Sequence, residues 1–279
     1  MTKTVTTING RLVERNQAKI SVFDNTLLYA DGLFETLLAI DDQLVLENEH
    51  LTRLYRGAKQ LGLDMPVSRQ RLSGWMHRTV KAHPSKIKKL RLTVTSGEAA
   101  RWVGSQGKQQ IILSASPHKF QVEPFELFVS DLRVDHLSPF RRLKTTSCVI
   151  HAAALRQAKA RGYHDALLLN ECGQVAETTS ANIFWISRGK LMTPLISAGC
   201  LDGVTRRLLL RLARTLGLNT GEETCTMEEL FGADELLITS SLKLVAPVWR
   251  IRHGRRVLRI PCGPVTRLLS EQLAAFLGL

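Results

Sequence analysis

Ala166-Leu167-Leu168-Leu169, Asn182-Ile183-Phe184-Trp185-Ile186 and Leu191-Met192-Thr193 are three short apolar runs, separated by turn glycines at 173 and 189. Their length and punctuation predict strands. After Gly203 the period changes: Leu208, Leu209, Leu212 and Leu216 recur at helical spacing and Gly217 follows as a stop, which predicts a long amphipathic helix. Strands and helices come in mixed runs rather than in strict β-α alternation, so the fold class is α+β and not a doubly wound sheet.

Outward from this stretch the pattern persists. Upstream, a strand is expected near Phe125 to Val129, a polar loop over 135–142, and a helix from about Cys148 to Arg161 ended by Gly162. Downstream, a strand from Glu235 to Thr239 precedes a basic hairpin and a C-terminal helix. Near the start, Asn9-Gly10 between Thr4–Ile8 and Arg11–Val13 marks a hairpin, because that dipeptide favours a type I′ turn. A second hairpin joins Glu35–Ile40 to Gln43–Leu46, and helices follow from Glu47 to Gly62 and near Ser68 to Lys81. Strands over Lys89–Thr95 and Gln109–Ser114 complete a small mixed unit. The stretch Ala115 to Phe120, with Pro124 behind it, is the best linker, dividing the chain into a smaller domain over 1–116 and a larger one over 123–279.

Length and composition set the class. A chain of 279 residues that is 44% hydrophobic and 23% charged suits one or two globular units with a sizeable core. No apolar run approaches the length of a membrane span, and the first residues lack the basic-then-apolar order of a secretory signal, so a cytoplasmic protein is expected. The five cysteines are odd in number and never in a C-x-x-C pair, and the eight histidines are scattered, so neither a disulfide framework nor a metal site is expected. The formal charge of +13 would suit an anionic ligand or nucleic acid. Its densest stretches, 86–91 and 250–256, alternate charged with apolar residues and hold few aromatics, so a solvated basic face is expected rather than a nucleic-acid groove.

Several polar residues lie at the edges of apolar elements. Lys144 precedes Thr145-Thr146-Ser147 and an expected helix; a lysine near a helix start, partly desolvated, becomes a better nucleophile, although most lysines simply face solvent. Gly203-Val204-Thr205-Arg206 opens the Leu-rich helix and is either a phosphate-suited N-terminus or an ordinary helix start. Thr239-Ser240-Ser241 ends a strand with hydroxyls that either bind an anion or make a turn. Glu177, between two short strands, is either the partner of a protonated ring nitrogen or a loop carboxylate.

Taken together these residues resemble the class IV aminotransferases, the fold-type IV pyridoxal 5'-phosphate enzymes that include branched-chain and D-amino acid aminotransferases and aminodeoxychorismate lyase. The resemblance runs from Leu28-Tyr29-Ala30-Asp31-Gly32-Leu33-Phe34-Glu35-Thr36 through Glu49-His50-Leu51-Thr52-Arg53-Leu54 to the C-terminal third. It is most specific in Asp165–Asn170, Gly173-Gln174-Val175-Ala176-Glu177 and Asn182-Ile183-Phe184. It implies a two-domain, D-amino acid aminotransferase-like fold with the cofactor between the domains, and a homodimer. It makes Lys144, on the larger domain, the Schiff-base lysine and proton carrier, and Glu177 the partner of the pyridine nitrogen. Arg53, the Val204 and Thr205 amides, and Ser240 and Ser241 would hold the phosphate.

Substrate-facing positions follow the family less closely. The tyrosine and Arg-x-His pair of the D-amino acid enzymes correspond to Phe34, Arg101 and Val103, so only Arg101 keeps its type, while Arg141 and Arg142 offer other carboxylate binders or a solvated pair. Thr36 stands where the lyase carries a threonine and the branched-chain enzymes a glycine. The first expectation is amino transfer between an amino acid and a 2-oxo acid. The alternative is release of 4-aminobenzoate and pyruvate from aminodeoxychorismate, with Thr36 assisting; a non-catalytic nucleic-acid-binding protein is the remote third.

Overall fold

In the computed structural model, residues 4–98 and 107–279 are described. The chain divides into two compact units, one comprising the residues up to Phe120 together with Leu143–Ser147, the other Gln121–Arg142 with Cys148–Leu279.

The first unit contains β1 (Val5–Ile8), β2 (Arg11–Val13), α1 (Asn25–Tyr29), β3 (Gly32–Ile40), β4 (Gln43–Leu44), α2 (Glu47–Leu61), α3 (Arg69–Lys81), β5 (Ile87–Thr95) and β6 (Ile111–Pro117). These strands form one antiparallel sheet in the order β2-β1-β6-β5-β3-β4. Asn9 and Gly10 both take positive φ, 49° and 79°, as a two-residue type I′ hairpin requires. Leu37 of β3 and Leu90 and Leu92 of β5 alternate onto the buried face, where Leu51 and Leu54 of α2 and Met76 of α3 pack against them. Ser68 caps α3 by accepting the Arg71 N–H, and Gly62 ends α2 in the left-handed region. One charge expected to face solvent does not: Lys88 is buried, and its Nζ donates to Val80 O and His83 O at the end of α3 and pairs with Asp42. Lys88 shares the core-facing register of Leu90 and Leu92, so it is buried by alternation and neutralised by a carboxylate and helix-end carbonyls.

The second unit contains β7 (Phe125–Val134), α4 (Val149–Ala160), β8 (Asp165–Asn170), β9 (Val175–Thr178), β10 (Asn182–Ser187), β11 (Lys190–Pro194), α5 (Val204–Thr215), β12 (Thr220–Glu223), α6 (Met227–Phe231), β13 (Glu235–Ser240), β14 (Leu244–His253), β15 (Arg256–Arg259) and α7 (Pro264–Leu277). Its sheet runs β12-β11-β10-β13-β14-β7-β8-β9, with β15 on β14. It mixes parallel pairs (β11·β12, β14·β7, β7·β8) with antiparallel ones. Both faces are covered, which is why β8 and β10 read as nearly continuous apolar runs rather than alternating ones.

Two expected placements differ. The Lys144 segment groups with the first unit, not with the larger one. Glu177 lies inside β9 rather than in a loop between strands, because Val175 and Ala176 are too few and Glu177 too polar for the strand to show in the sequence.

Candidate active site

In the first unit, Lys144 is held by backbone pairing to the start of β3. The Phe34 N–H donates to Lys144 O at 2.9 Å and the Thr146 N–H donates to Gly32 O at 2.9 Å, with Leu33 and Thr145 as bridge partners. The Thr146 hydroxyl adds a 2.6 Å bond to Ala30 O. The Lys144 Nζ lies 4.5 Å from the Phe34 ring centroid, and the Arg91 guanidinium 3.8 Å from the same ring. Phe34 and Thr36 share one face of β3 by strand alternation, and Thr36 is the ladder partner of Arg91 on β5. That face therefore carries an aromatic ring, a hydroxyl and two cations, a combination suited to a small anionic substrate.

Glu35 points the other way and is fully buried. His50 and Arg53, three residues apart on one face of α2, close on it. Arg53 donates from Nε and Nη2 at 2.8 and 2.6 Å, and His50 Nδ1 lies 2.7 Å away. Burial alone would push the Glu35 carboxyl up, but the paired guanidinium and the His50 contact hold it at about 2. His50 is pushed below its ordinary value, first by burial and further by the Arg53 and Lys144 charges, against the pull of Glu35. At neutral pH it is the uncharged ring whose Nδ1–H donates to Glu35.

In the second unit the focus is Glu177. Its Oε1 accepts from Arg141 Nη2 at 2.7 Å and faces His151 Nε2 at 3.3 Å, and its Oε2 accepts the Leu201 N–H at 2.9 Å. Arg141 is itself anchored, donating from Nε and Nη2 to Gly199 O. Burial pushes Glu177 up, yet His151, Arg141 and the Leu201 amide outweigh it and keep the carboxyl below the usual carboxylate range. Three donors occupy three of the roughly four acceptor positions of a carboxylate, leaving room for one more donor. The neighbouring Cys200 is the opposite case: burial and the nearby Glu177 charge push its thiol up to about 12, so it is a protonated packing residue and not a nucleophile.

The start of α5 lies close by. Gly203 is its N-cap residue without a side-chain cap, and Val204 and Thr205 are buried. Asn182 organises this corner: its Nδ2 donates to Leu201 O, its Oδ1 lies against Gly203, and it is the ladder partner of Thr239 near the end of β13. A Cβ on Gly203 would sit 2.0 Å from that oxygen, so the close approach requires glycine here. Ser240 follows at once, and its hydroxyl oxygen accepts the Lys243 N–H, leaving its own hydrogen for another acceptor. Uncapped helix amides beside a donating hydroxyl suit an oxyanion such as a phosphate.

Each expected site residue can now be placed. Lys144, Phe34 and Thr36 come together in the first unit, with Arg53 on the opposite face of β3 in a buried ion pair with Glu35. Glu177, Val204, Thr205, Ser240 and Ser241 belong to the second. Arg101 and Val103 lie outside the described residues. Arg141 serves Glu177, and Arg142 is exposed. Lys144 does not sit in the first turn of a helix, since α4 begins only at Val149; its position comes from strand pairing instead. The sequence reading missed Glu35, His50, Arg91, His151 and the role of Asn182. A glutamate inside an apolar strand and a His/Arg pair at helical spacing were the visible signals.

Known proteins resemble this chain over most of its length. The family model "Amino-transferase class IV" covers residues 32–251. A "Putative branched-chain-amino-acid aminotransferase" of Methanocaldococcus jannaschii is 33% identical over 95% of this chain and 93% of its own length. The structure of the branched-chain aminotransferase from Thermoproteus uzoniensis, solved with norvaline, superposes with a TM-score of 0.91 at 30% identity, covering 98% of this chain and 95% of that one. The 4-amino-4-deoxychorismate lyase of Pseudomonas aeruginosa gives 0.87 at 27%, covering 98% and 100%. The chain belongs to the class IV aminotransferases and has their fold-type IV architecture.

Proposed function

We propose that this chain binds pyridoxal 5'-phosphate and moves an amino group between an amino acid and a 2-oxo acid. The observation that carries the reading is Glu177, a buried carboxylate kept ionised with one acceptor position to spare. Such a group fits a protonated pyridine nitrogen. The α5 amides at Val204 and Thr205 and the Ser240 hydroxyl fit the phosphate, and the family resemblance adds Ser241 and Arg53, whose guanidinium Glu35 holds in place. When bound, the cofactor supplies the carbonyl that takes up the substrate amine and the ring that withdraws electrons from it. Lys144 is the residue that would carry the cofactor, and once displaced its Nζ would take the proton from the substrate α-carbon and deliver it to the cofactor's former carbonyl carbon, C4′. Arg91, beside Phe34 and opposite Thr36, is placed to attract a substrate carboxylate. The family resemblance adds a homodimer.

One observation favours a second reading. Thr36 shares the face of β3 that carries Phe34, whose ring lies beneath the Lys144 ammonium, so a hydroxyl is available where the lyase reaction needs assistance.

A single-turnover assay separates the two. Incubated with an amino acid and no oxo acid, a transaminase forms stoichiometric oxo acid, whereas a lyase forms none but releases 4-aminobenzoate from aminodeoxychorismate. Lys144→Ala should lower either reaction by about 10³-fold or more while leaving the thermal unfolding of the apo-protein unchanged. An active variant overturns the assignment of Lys144.

A further inference from the structure

The second unit contains a buried charge cluster that the proposed reaction does not itself use. Asp165, 2% exposed at the start of β8, gathers donors from the β9–β10 connection. Its Oδ1 accepts the Ala166 N–H at 2.8 Å, the Thr179 N–H at 3.3 Å and the Thr179 hydroxyl, and its Oδ2 faces the Thr178 and Ser180 hydroxyls at 3.2 and 3.0 Å. All of these donors are neutral and local to one end of the sheet. The exception arrives from another element. Lys243, in the turn between β13 and β14, places its Nζ 2.7 Å from Ser180 Oγ and 3.8 Å from Asp165 Oδ2.

Two proposed cofactor anchors flank this cluster. Thr178 directly follows Glu177 on β9, so the Asp165 contacts tie down the strand that presents the ring-nitrogen carboxylate. Lys243 closes the turn that carries Ser240 and Ser241, and its backbone N–H is the donor that fixes the Ser240 oxygen. Thr239 adds a 2.5 Å bond from its hydroxyl to Leu244 O across the same turn. The turn is thus oriented internally by these two bonds, and through Lys243 it is tied to the strand end beside Glu177. Burial pushes the Lys243 pKa below its ordinary value, and the Asp165 carboxylate offsets part of that push by favouring the charged ammonium.

We propose that Lys243, through Ser180 and Asp165, is a positioning residue that holds the Ser240-Ser241 turn at a set distance from the Glu177 strand and so tunes recognition of the cofactor's phosphate. The proposal rests on the pyridoxal phosphate reading above. Removing the ammonium leaves Asp165 its contacts with β9, so the ring anchor stays in place while the hydroxyl turn loses its tether. A generally destabilising change would instead weaken every ligand alike.

The test is equilibrium titration of cofactor-free protein with pyridoxal 5'-phosphate and, separately, with pyridoxal, which lacks the phosphate. For Lys243→Met the preference for the phosphorylated form should fall about tenfold, the scale of one charge-assisted hydrogen-bond arrangement, with the pyridoxal affinity unchanged. Lys243→Arg should restore most of the preference. Ser180→Ala, which keeps the charge pair but removes the bridging hydroxyl, should lower it by a smaller factor and provides the same readout if Lys243→Met does not fold. If the wild-type protein prefers pyridoxal phosphate and both variants lose the two ligands equally, or neither, Lys243 has no positioning role. If the wild-type protein takes up neither ligand, the cofactor reading itself fails and this proposal with it.

Discussion

Glu35 is a carboxylate with no access to water, and its environment has a measurable pH signature. Its folded pKa of about 2 lies below the unfolded value near 4.3, so the stabilisation it brings is complete above about pH 4.5 and lost as pH falls towards about 2. His50 acts in a higher window with the same sign. Its folded pKa is lowered from the ordinary 6.5, so below that pH the unfolded chain takes up a proton that the folded chain refuses, and stability falls as pH drops. We expect the melting temperature of the wild-type protein to decline between about pH 7 and pH 5, and His50→Gln, whose amide can still donate to Glu35, to flatten that decline. Thermal melts of the two proteins across this range decide it; parallel curves would mean that His50 titrates as it does in the unfolded chain. The residue scale also shows where the sequence falls short. Lys144 and Glu177 were legible because family spacing marks them, whereas Glu35 and His50 act through each other across 15 positions of chain, a contact that only the packing of α2 on β3 discloses.

Among the elements, α5 was the most readable and its start the most consequential. Gly203, the apolar period and Gly217 marked its limits, and Leu208 and Leu209 of the expected stripe are buried, but Leu210 and Ala213 join them while Leu212 and Leu216 are only half-buried. A helix covered by neighbours on more than one side buries a wider arc than a surface helix. β9, β12, α1 and α6 went unread because strands and helices of four or five residues carry too little periodicity to stand out. Gly203 itself tests the importance of the helix start. Its φ of −68° is open to any residue, so Gly203→Ala introduces no backbone strain, only the collision of a new Cβ with Asn182 Oδ1 at 2.0 Å. Either Asn182 gives up its bond to Leu201 O or the first turn of α5 shifts. We expect a loss of about 1–3 kcal/mol in stability and a weaker hold on pyridoxal phosphate, with Gly203→Ala,Asn182→Ala recovering part of the stability by removing the obstruction. No recovery in the double variant would show that the collision is not the cause.

For the whole molecule, the decisive numbers are a charge of +13 and an apolar surface that the first unit leaves exposed. Val22, Phe23, Leu27, Leu28 and Tyr29 fall within eight residues around α1, and each is more than 40% exposed. Single exposed apolar side chains need no explanation, but five so close along the chain suit a surface buried by a second copy. Two copies of a +13 chain repel at long range, and salt screens that repulsion over a Debye length of about 10 Å at 0.1 M. Burial of apolar surface is not weakened by moderate salt. The proposed homodimer should therefore tighten as sodium chloride rises from about 0.05 to 0.3 M, and Phe23→Asp, which puts a charge into the apolar group, should shift the protein to the monomer at every salt concentration. The same ionic-strength series distinguishes the nucleic-acid alternative, because phosphate-backbone binding releases counterions and weakens steeply over that range. Sedimentation of the protein alone and with a short duplex thus gives opposite salt trends for the two uses of the positive charge. A dimer that dissociates with added salt would place ion pairs, not the α1 apolar group, at the interface.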